Sequence, residues 1–335
     1  MQYDLKNKRK FLKRIAYPSI TMQSLFVGSI VTVNSRQLSI TDYADTFTRK
    51  KFARGKETQF AMIKPDAYMH TGKIIDSIYN SGFIISKLKM SRFNNVTAAK
   101  LVGGAPNAAA QIENLQNDVC TGMELVAEGA VQKWNDMCGP ENSVQAKINA
   151  SSSLRAAFGT DSVKNAVHGS SNNQQKSAEM GLFFGRELRT SALFSNCTCA
   201  VIKPHAIQAG YAGQIIDIIL SEGFEISAMQ MFHLDRPTAE EFFEIYQGVL
   251  PEFTPMCEQM TTGPCIAMEI RQENAVRAFR DLVGPMDPEI AKNLRPNTLR
   301  ARFGIDRCRN AIHCTDLPED GTLESEYFFS IQQEE

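Results

Sequence analysis

Short apolar runs alternate with helical stripes along most of the chain, and the same alternation occurs twice. In the first occurrence an apolar run ends at Lys64, which predicts a buried strand. The next segment carries an apolar stripe at helical spacing, formed by Ile74, Ile75, Ile78 and Tyr79. This helix is predicted to stop at Gly82, and a second strand begins at Phe83.

The second occurrence repeats these elements from a strand that ends at Lys203. In both copies the pattern then predicts a second helix near 97–115 and 238–246 and a third strand at 123–127 and 265–270. A helix ending at Cys138 or Val283 and a last strand bearing a histidine complete each unit. The β-α-β-β-α-β order predicts an α/β (α+β) fold of two tandem ferredoxin-like domains, each with its helices on one face of the sheet.

Three anchors align the two copies of the sequence. The strand ends match at Lys64-Pro65 and Lys203-Pro204, residues 72–90 match 213–231, and the histidine segments match near the ends. The offset grows from 139 residues at the lysines to 145 at the histidines, as expected for a duplicated domain with small insertions. We predict domains at 57–185 and 197–335, the latter with an acidic tail, and a linker at 186–196.

Residues 1–56 belong to neither copy and carry a different charge. They hold 12 Lys+Arg against 3 Asp+Glu, which makes this leader +9 and the remainder −10. Runs at 27–33 and 38–43 predict a strand pair too small for its own core, so we expect the leader to dock on another surface. A basic leader favours nucleic acid, anionic lipid or an acidic protein surface as partner.

Composition narrows the class of protein further. Hydrophobic content of 43% and charged content of 22% are typical of a globular protein. No apolar run long enough for a signal peptide core or a membrane span follows the basic cluster at 6–10, so we expect neither, and a cytosolic or nuclear location. The eight cysteines form no CxxC pair, which predicts reduced thiols rather than a zinc site or disulfides, with Cys197 and Cys199 in a strand.

The two histidines stand in the same chemical setting. Each copy has an Arg, nine residues, an Asn, two residues and a His: Arg155, Asn165 and His168 in the first copy, and Arg300, Asn310 and His313 in the second. Imidazole is the side chain that stays largely neutral and nucleophilic near neutral pH. A guanidinium and an amide beside it suit a phosphate-bearing substrate, so the pattern predicts phosphoryl transfer through a phosphohistidine.

Together with the Lys-Pro strand ends, these motifs resemble the nucleoside diphosphate kinase family over about 57–185 and 197–330. The tandem arrangement and the segment after His313 are similar to the axoneme-associated branch of that family, and the leader resembles the end of a DM10 domain. The resemblance implies a ping-pong reaction in which His313 takes the terminal phosphate of a nucleoside triphosphate, aided by Mg²⁺, and passes it to a nucleoside diphosphate. It implies no protein ligands for the metal, which would be held through the nucleotide phosphates.

The resemblance also implies roles for the other residues of the second copy. Lys203 would contact the sugar and the terminal phosphate, Asn310 the sugar, Tyr246 the attacked phosphate, Arg280 and Arg300 the remaining phosphates, and Phe253 the base. Two residues depart from the family pattern: Met286 replaces a phosphate-binding Thr, and His205 replaces the usual Asp. Phe253 also lies one residue closer to Tyr246 than is usual. Losing the Thr hydroxyl costs about 0.5–1.5 kcal/mol, which impairs a kinase without abolishing it.

The first copy departs further from the family pattern. Lys64, Asp66, Arg155, Asn165 and His168 persist, but residues 100–110 hold neither the Tyr nor the base-stacking Phe. Asn135 replaces the first Arg and Glu141 lies near the place of the Thr, which removes attraction and adds repulsion for a polyphosphate. We therefore expect a degenerate first site that binds nucleotide weakly.

Two classes of function remain open. One is a nucleoside triphosphate:diphosphate phosphotransferase that works in the second domain, and the other is a non-catalytic structural protein on microtubules, favoured by the basic leader. The resemblance implies a location in the cytoplasm and cytoskeleton, at the axoneme of a cilium or flagellum, with tubulin or other axonemal proteins as partners. Nucleic acid is disfavoured because both copies are acidic. We expect a monomer with an internal pseudo-dimer, and a solvated tail that includes Glu324, Glu326, Glu334 and Glu335.

Overall fold

The computed structural model describes residues 2–4, 6–12, 17, 20, 22–33, 36–52, 56–105 and 107–334. The strands are β1 (Gln2–Asp4), β2 (Arg9–Leu12), β3 (Ile30–Val33), β4 (Arg36–Ser39), β5 (Lys56–Ile63), β6 (Ile84–Arg92), β7 (Val119–Glu128), β8 (Val167–Gly169), β9 (Cys197–Ile202), β10 (Glu225–Phe232), β11 (Cys265–Arg271) and β12 (Ile312–Cys314).

The first half of the chain contains α1 (Thr46–Phe52), α2 (Thr71–Asn80), α3 (Asn95–Val102), α4 (Ala108–Gln116), α5 (Ala130–Cys138), α6 (Ser143–Asn149), α7 (Leu154–Phe158) and α8 (Asn173–Phe184). The second half contains α9 (Pro204–Gln208), α10 (Ala212–Ser221), α11 (Arg236–Phe242), α12 (Phe253–Met260), α13 (Ala275–Val283), α14 (Pro288–Leu294), α15 (Leu299–Phe303), α16 (Asp320–Glu326) and α17 (Gln332–Glu334). Short 3₁₀ turns span Met22–Ser24, Pro65–His70 and Glu244–Tyr246, and a π-helical turn spans Tyr327–Ile331.

One sheet runs through both copies of the repeat. Its order is β12-β9-β11-β10-β6-β7-β5-β8, and every neighbouring pair is antiparallel. Each half therefore has the order 4-1-3-2, which is the ferredoxin-like arrangement that the sequence predicts. The halves meet at β6 and β10, where Lys89 pairs with Gln230.

Helices cover both faces of the sheet, so the prediction of helices on one face is wrong. In β5, Phe60 and Met62 are buried with α3, α4 and α8, whereas Ala61 and Ile63 are buried on the other face with α2 and α5. Successive strand residues point to opposite faces, and here both sets are apolar. The run that predicted a buried strand thus also indicated a second helical layer.

The two domains pack closely through α2 and α10. A Cβ added at Gly72 would lie 2.2 Å from the backbone nitrogen of Asp217, and one added at Gly213 would lie 2.3 Å from that of Asp76. Near this crossing the Tyr68 hydroxyl accepts from the Ile226 amide at 2.7 Å and donates to the Ile226 carbonyl at 3.1 Å. The contacts join the domains as a pseudo-symmetric pair within one chain.

The segment 186–196 is fastened to both domains. Lys89 Nζ donates to the Leu188 carbonyl at 2.6 Å, and the Glu269 carboxylate accepts from the amides of Leu193 and Phe194 at 2.7 and 2.9 Å. Because Glu269 belongs to β11 of the second domain, the predicted linker is a packed strap rather than a free tether.

The leader forms the predicted strand pair as β3 and β4, and its turn at 34–35 lies outside the described residues. Gln37 Nε2 donates to the His233 carbonyl at 2.5 Å, so this hairpin docks on the second domain as expected. The predicted helix at 97–115 is two helices, α3 and α4, while 238–246 is the end of α11 followed by a 3₁₀ turn. No helix among the described residues is long and apolar enough to cross a membrane.

Candidate active site

Each histidine lies on a short edge strand that starts from a strained residue. Ala166 and Ala311 have φ of 66° and 71°, a left-handed conformation that costs energy for a residue with a Cβ. A side chain from the Lys-Pro motif holds each of these amides. Asp66 Oδ2 accepts from Ala166 N at 2.8 Å, and His205 Nε2 accepts from Ala311 N at 3.2 Å. The third residue of the motif therefore positions the histidine strand.

The repeated arginines also support the histidine strands. Arg300 Nε donates to the Ile312 carbonyl at 3.1 Å, and its Nη1 donates to the Gly284 carbonyl at 3.0 Å. Arg155 makes the equivalent bonds to Val167 and Gly139. Each guanidinium thus ties the C-terminal end of α5 or α13 to the residue before the histidine.

The asparagines and lysines complete the floor of each site. Asn310 Nδ2 donates to the Met286 carbonyl at 3.1 Å, as Asn165 Nδ2 does to the Glu141 carbonyl at 2.9 Å. Lys203 Nζ donates to the Cys308 carbonyl at 3.0 Å. The structure therefore brings together the Lys, Arg, Asn and His that the sequence predicted in both domains.

A glutamate, buried in the first domain and largely buried in the second, contacts each histidine. His313 Nε2 lies 2.9 Å from Glu324 Oε2, which also accepts from Thr315 Oγ1 at 3.0 Å. Among the described residues His313 Nδ1 has no hydrogen-bond partner. With Nε2 donating to the carboxylate, the lone pair of the neutral ring lies on Nδ1, which is then the nucleophilic nitrogen.

The prediction that Glu324 belongs to a solvated tail is wrong, because its side chain is 12% exposed and pairs with His313. The first domain has the same arrangement, with His168 Nε2 2.8 Å from Glu179 Oε1 and Ser170 donating to Glu179. In both copies the glutamate lies eleven residues after the histidine, and a residue with a hydroxyl group, Ser170 or Thr315, lies two residues after the histidine. That repeated spacing was the signal that could have identified Glu324 from the sequence.

A second network distinguishes the second domain from the first. The Tyr246 hydroxyl donates to Asp316 Oδ2 at 2.5 Å, and Arg280 forms an ion pair with Asp316 Oδ1. Although burial opposes it, hydrogen bonds from Tyr246 and Arg280 lower the pKa of Asp316. Asp316 lies three residues after His313 and was not among the predicted site residues.

Phe253 begins α12 and is half-buried against the same apolar cluster as Tyr246, Met286 and Cys308. The base-stacking role of Phe253 stays a prediction. In the first domain Asn135 and Ser171 stand at the repeat positions of Arg280 and Asp316. The first site therefore keeps its histidine, glutamate, lysine, arginine and asparagine, and lacks the second network.

The electrostatics of the two lysines also differ. Burial, and then the nearby Arg300 guanidinium, lowers the pKa of Lys203 to about 7. Burial, and then Lys203, lowers the pKa of His205 to about 4, so His205 is neutral at physiological pH. In the first domain burial also lowers the pKa of Lys64, but the carboxylates of Asp66 and Glu141 oppose this shift.

A cavity of about 1910 Å³ lies elsewhere, between the leader hairpin, the 186–196 strap and the junction of the domains. Its lining includes Phe26, Lys89, Arg189 and Gln230, and none of the repeated site residues. We therefore assign the chemistry to the histidine sites and not to the larger cavity. Across the described part of the chain, no group of three or more His, Cys, Asp or Glu side chains could hold a metal ion.

The fold and its sites define a tandem ferredoxin-like protein with a histidine–glutamate pair, framed by cationic side chains, in each domain. The family model described as nucleoside diphosphate kinase matches residues 57–188 and 196–333. The chain belongs to the nucleoside diphosphate kinase family.

Two relatives agree with this assignment by sequence. The chain is 45% identical over 336 residues to "Nucleoside diphosphate kinase homolog 7" of Rattus norvegicus, covering 98% of this chain and 85% of that protein. It is 38% identical over 133 residues to the nucleoside diphosphate kinase of Aquifex aeolicus, covering 40% of this chain and 93% of that one. A crystal structure of the Aquifex aeolicus enzyme matches 40% of this chain and 95% of that chain at 37% identity, with a TM-score of 0.39.

Proposed function

We propose that the second domain transfers the terminal phosphate of a nucleoside triphosphate to a nucleoside diphosphate through His313. The observation that carries the proposal is the hydrogen bond from His313 Nε2 to Glu324, which leaves Nδ1 as the nucleophile. The side chains around it, Lys203 and Arg300, are cationic groups suited to a polyphosphate.

In the first half-reaction Nδ1 attacks the terminal phosphorus, a nitrogen–phosphorus bond forms, and the bond to the diphosphate oxygen breaks. Glu324 stabilises the positive ring that develops during attack. In the second half-reaction an oxygen of the acceptor diphosphate attacks the same phosphorus, and the histidine leaves. For either nucleotide to meet Arg280, its phosphates must compete with Asp316.

Mg²⁺ would enter this site with the nucleotide. The two carboxylates near His313 are already engaged, Glu324 by His313 and Asp316 by Tyr246 and Arg280. The other side chains of the site are hydrogen-bond donors and cations, which suit phosphate oxygens and not a metal ion. The ion would therefore be coordinated by the phosphates, where it would neutralise charge on the transferred group.

The first domain is proposed to contribute little to transfer. Asn135 cannot replace the charge of an arginine, and Glu141 adds a carboxylate near Lys64. Both changes weaken the attraction for a polyphosphate.

The test is a pulse with γ-labelled ATP and Mg²⁺ followed by measurement of acid-labile label on the protein. We expect His313→Ala to abolish the label and the matched variant His168→Ala to retain most of it. Undiminished label in His313→Ala would exclude His313 as the nucleophile. Loss in His168→Ala alone would assign the chemistry to the first domain.

A second candidate function is supported by the leader. Its +9 charge contrasts with the acidic remainder, and Lys6, Lys8, Arg9 and Lys10 are exposed. Such a cluster suits the acidic surface of a microtubule, with the kinase-fold domains as structural units and a location in the cytoskeleton of a cilium or flagellum. This candidate is compatible with retained catalysis.

Co-sedimentation with microtubules tests this second candidate. We expect the full chain to pellet with microtubules at low salt, and pelleting to weaken at raised salt and in a variant with Lys6, Lys8, Arg9 and Lys10 changed to Gln. Exchange of an equal number of exposed lysines outside the leader, at Lys73, Lys147, Lys164 and Lys292, is the control. Equal pelleting of both variants and the unmodified chain would exclude the leader as the anchor.

A further inference from the structure

The residue after Lys-Pro makes the same hydrogen bond in both domains but carries a different charge. Asp66 and His205 each accept the amide hydrogen of the strained alanine before the histidine strand. Because Nε2 of His205 is the acceptor, its lone pair is occupied and the ring is in the neutral form with hydrogen on Nδ1. The substitution therefore preserves the hydrogen bond and removes one negative charge.

The neutral His205 stands close to a buried lysine, Lys203, which therefore lacks the negative charge that an aspartate would provide. Lys203 is 2% exposed, and the ionisable groups that influence it are Arg300, Asp306, Cys308 and Cys314, together with the neutral His205. Asp306 is already paired with Arg309, at 2.6 Å. Lys64, by contrast, has the carboxylates of both Asp66 and Glu141 near it.

Hydrogen bonding in the second domain is correspondingly incomplete. Lys64 Nζ donates to Asn165 Oδ1 at 2.7 Å in the first domain. In the second domain Lys203 donates to a carbonyl, and Asn310 Oδ1 and His205 Nδ1 are buried without a partner among the described residues. A buried cation and two buried polar atoms without hydrogen bonds raise the free energy of the folded state unless an additional group interacts with them.

We propose that His205 leaves Lys203 without a counter-ion, so that the nucleotide phosphates take this role and binding in the second domain is coupled to uptake of a proton. The inference rests on the nucleotide binding assigned under the proposed function. His205 acts here as a positioning residue, through Lys203 and the Ala311 amide.

The direction of the pH dependence follows from the lysine. Burial and Arg300 lower the pKa of Lys203 to about 7, so the amine loses its proton as the pH rises above neutrality. A bound polyphosphate favours the ammonium form and raises that pKa again. The affinity for nucleotide should therefore fall above pH 7, by up to about tenfold per pH unit for one coupled proton.

The experiment is calorimetric titration of the full chain with Mg·ADP at pH 8, in two buffers with different heats of protonation. ADP occupies the site without phosphorylating the histidine, and at this pH its phosphates are already ionised. We expect uptake of a large fraction of one proton per second-domain site, seen as different binding heats in the two buffers. Equal heats in the unmodified chain would overturn the inference.

Two variants separate charge from structure. His205→Asp places a carboxylate beside Lys203. It should abolish the proton uptake and make the ADP affinity independent of pH between pH 7.5 and 9. His205→Asn keeps a neutral acceptor for the Ala311 amide. It should retain both the proton uptake and the pH dependence of the ADP affinity. If the two variants behave alike, the missing charge is not the cause and the inference fails. Absence of any ADP binding would instead overturn the proposed function itself, so the two failures are distinguishable.

Discussion

At the scale of single residues, the side chains of the second site divide into those that hold the histidine and those that face the substrate. Arg300 donates hydrogen bonds from Nε and Nη1 to backbone carbonyls, so part of its role is to fix the strand that carries His313. Glu324 fixes the ring itself. Arg280 differs from both, because it is an exposed cation whose partner, Asp316, is a carboxylate that a phosphate could displace.

Changing Glu324 to Gln should slow phosphorylation of His313 roughly ten- to hundredfold. An amide carries no negative charge to stabilise the ring as it becomes positive during attack, and its NH2 group can donate to Nε2, which would move the ring hydrogen onto Nδ1. Single-turnover labelling with γ-labelled ATP measures this rate. Glu319→Gln, at an exposed position just before α16, is the control and should leave the rate unchanged. An unaltered rate in Glu324→Gln would contradict the role assigned to the glutamate.

At the scale of elements, the repeat was readable because each strand and helix recurs at a fixed place. The prediction of a single helix at 97–115 was wrong, since α3 ends at Val102 and a new helix begins at Ala108. The Gly103-Gly104 pair lies at this break, and glycine disfavours a helix interior. That glycine pair was the signal in the sequence that could have divided the predicted helix in two.

The α2–α10 crossing depends on two glycines. Gly72→Ala should lower the free energy of unfolding by about 1–3 kcal/mol, because the added methyl would meet the backbone of Asp217 and the helices would have to separate. Chemical denaturation followed by circular dichroism measures the change. Gly181→Ala in α8, where nothing lies within 4 Å, is the matched control and should stabilise the fold by about 0.4–1 kcal/mol. Equal effects of the two substitutions would contradict the close crossing.

At the scale of the whole molecule, the chain supplies both halves of an interface. The sheet continues from β6 to β10, α2 packs on α10, and the strap at 186–196 is hydrogen-bonded along the same junction. The leader hairpin docks beside it through Gln37. These contacts bury surfaces within one chain. A protein with a single domain could bury the same surfaces only by associating with another chain.

We therefore expect the protein to be a monomer in solution. Light scattering coupled to gel filtration should give a mass near the 37.3 kDa of one chain at micromolar concentration. The same measurement at a tenfold higher concentration serves as the control for weak association. A stable mass of six chains would contradict the prediction, since it would require further interfaces beyond the internal one.

The sequence by itself determined the duplication, the order of the strands and the residues Lys203, Arg300, Asn310 and His313, because apolar periodicity and repeated spacing are local properties of the chain. Only the tertiary structure decided which groups complete the site. Glu324 reaches His313 because α16 packs on β9, the neighbour of the histidine strand β12, and Tyr246 meets Asp316 although 70 residues separate them in the chain. Such contacts depend on how elements pack, and burial then sets their charges, as the lowered pKa of Lys203 illustrates.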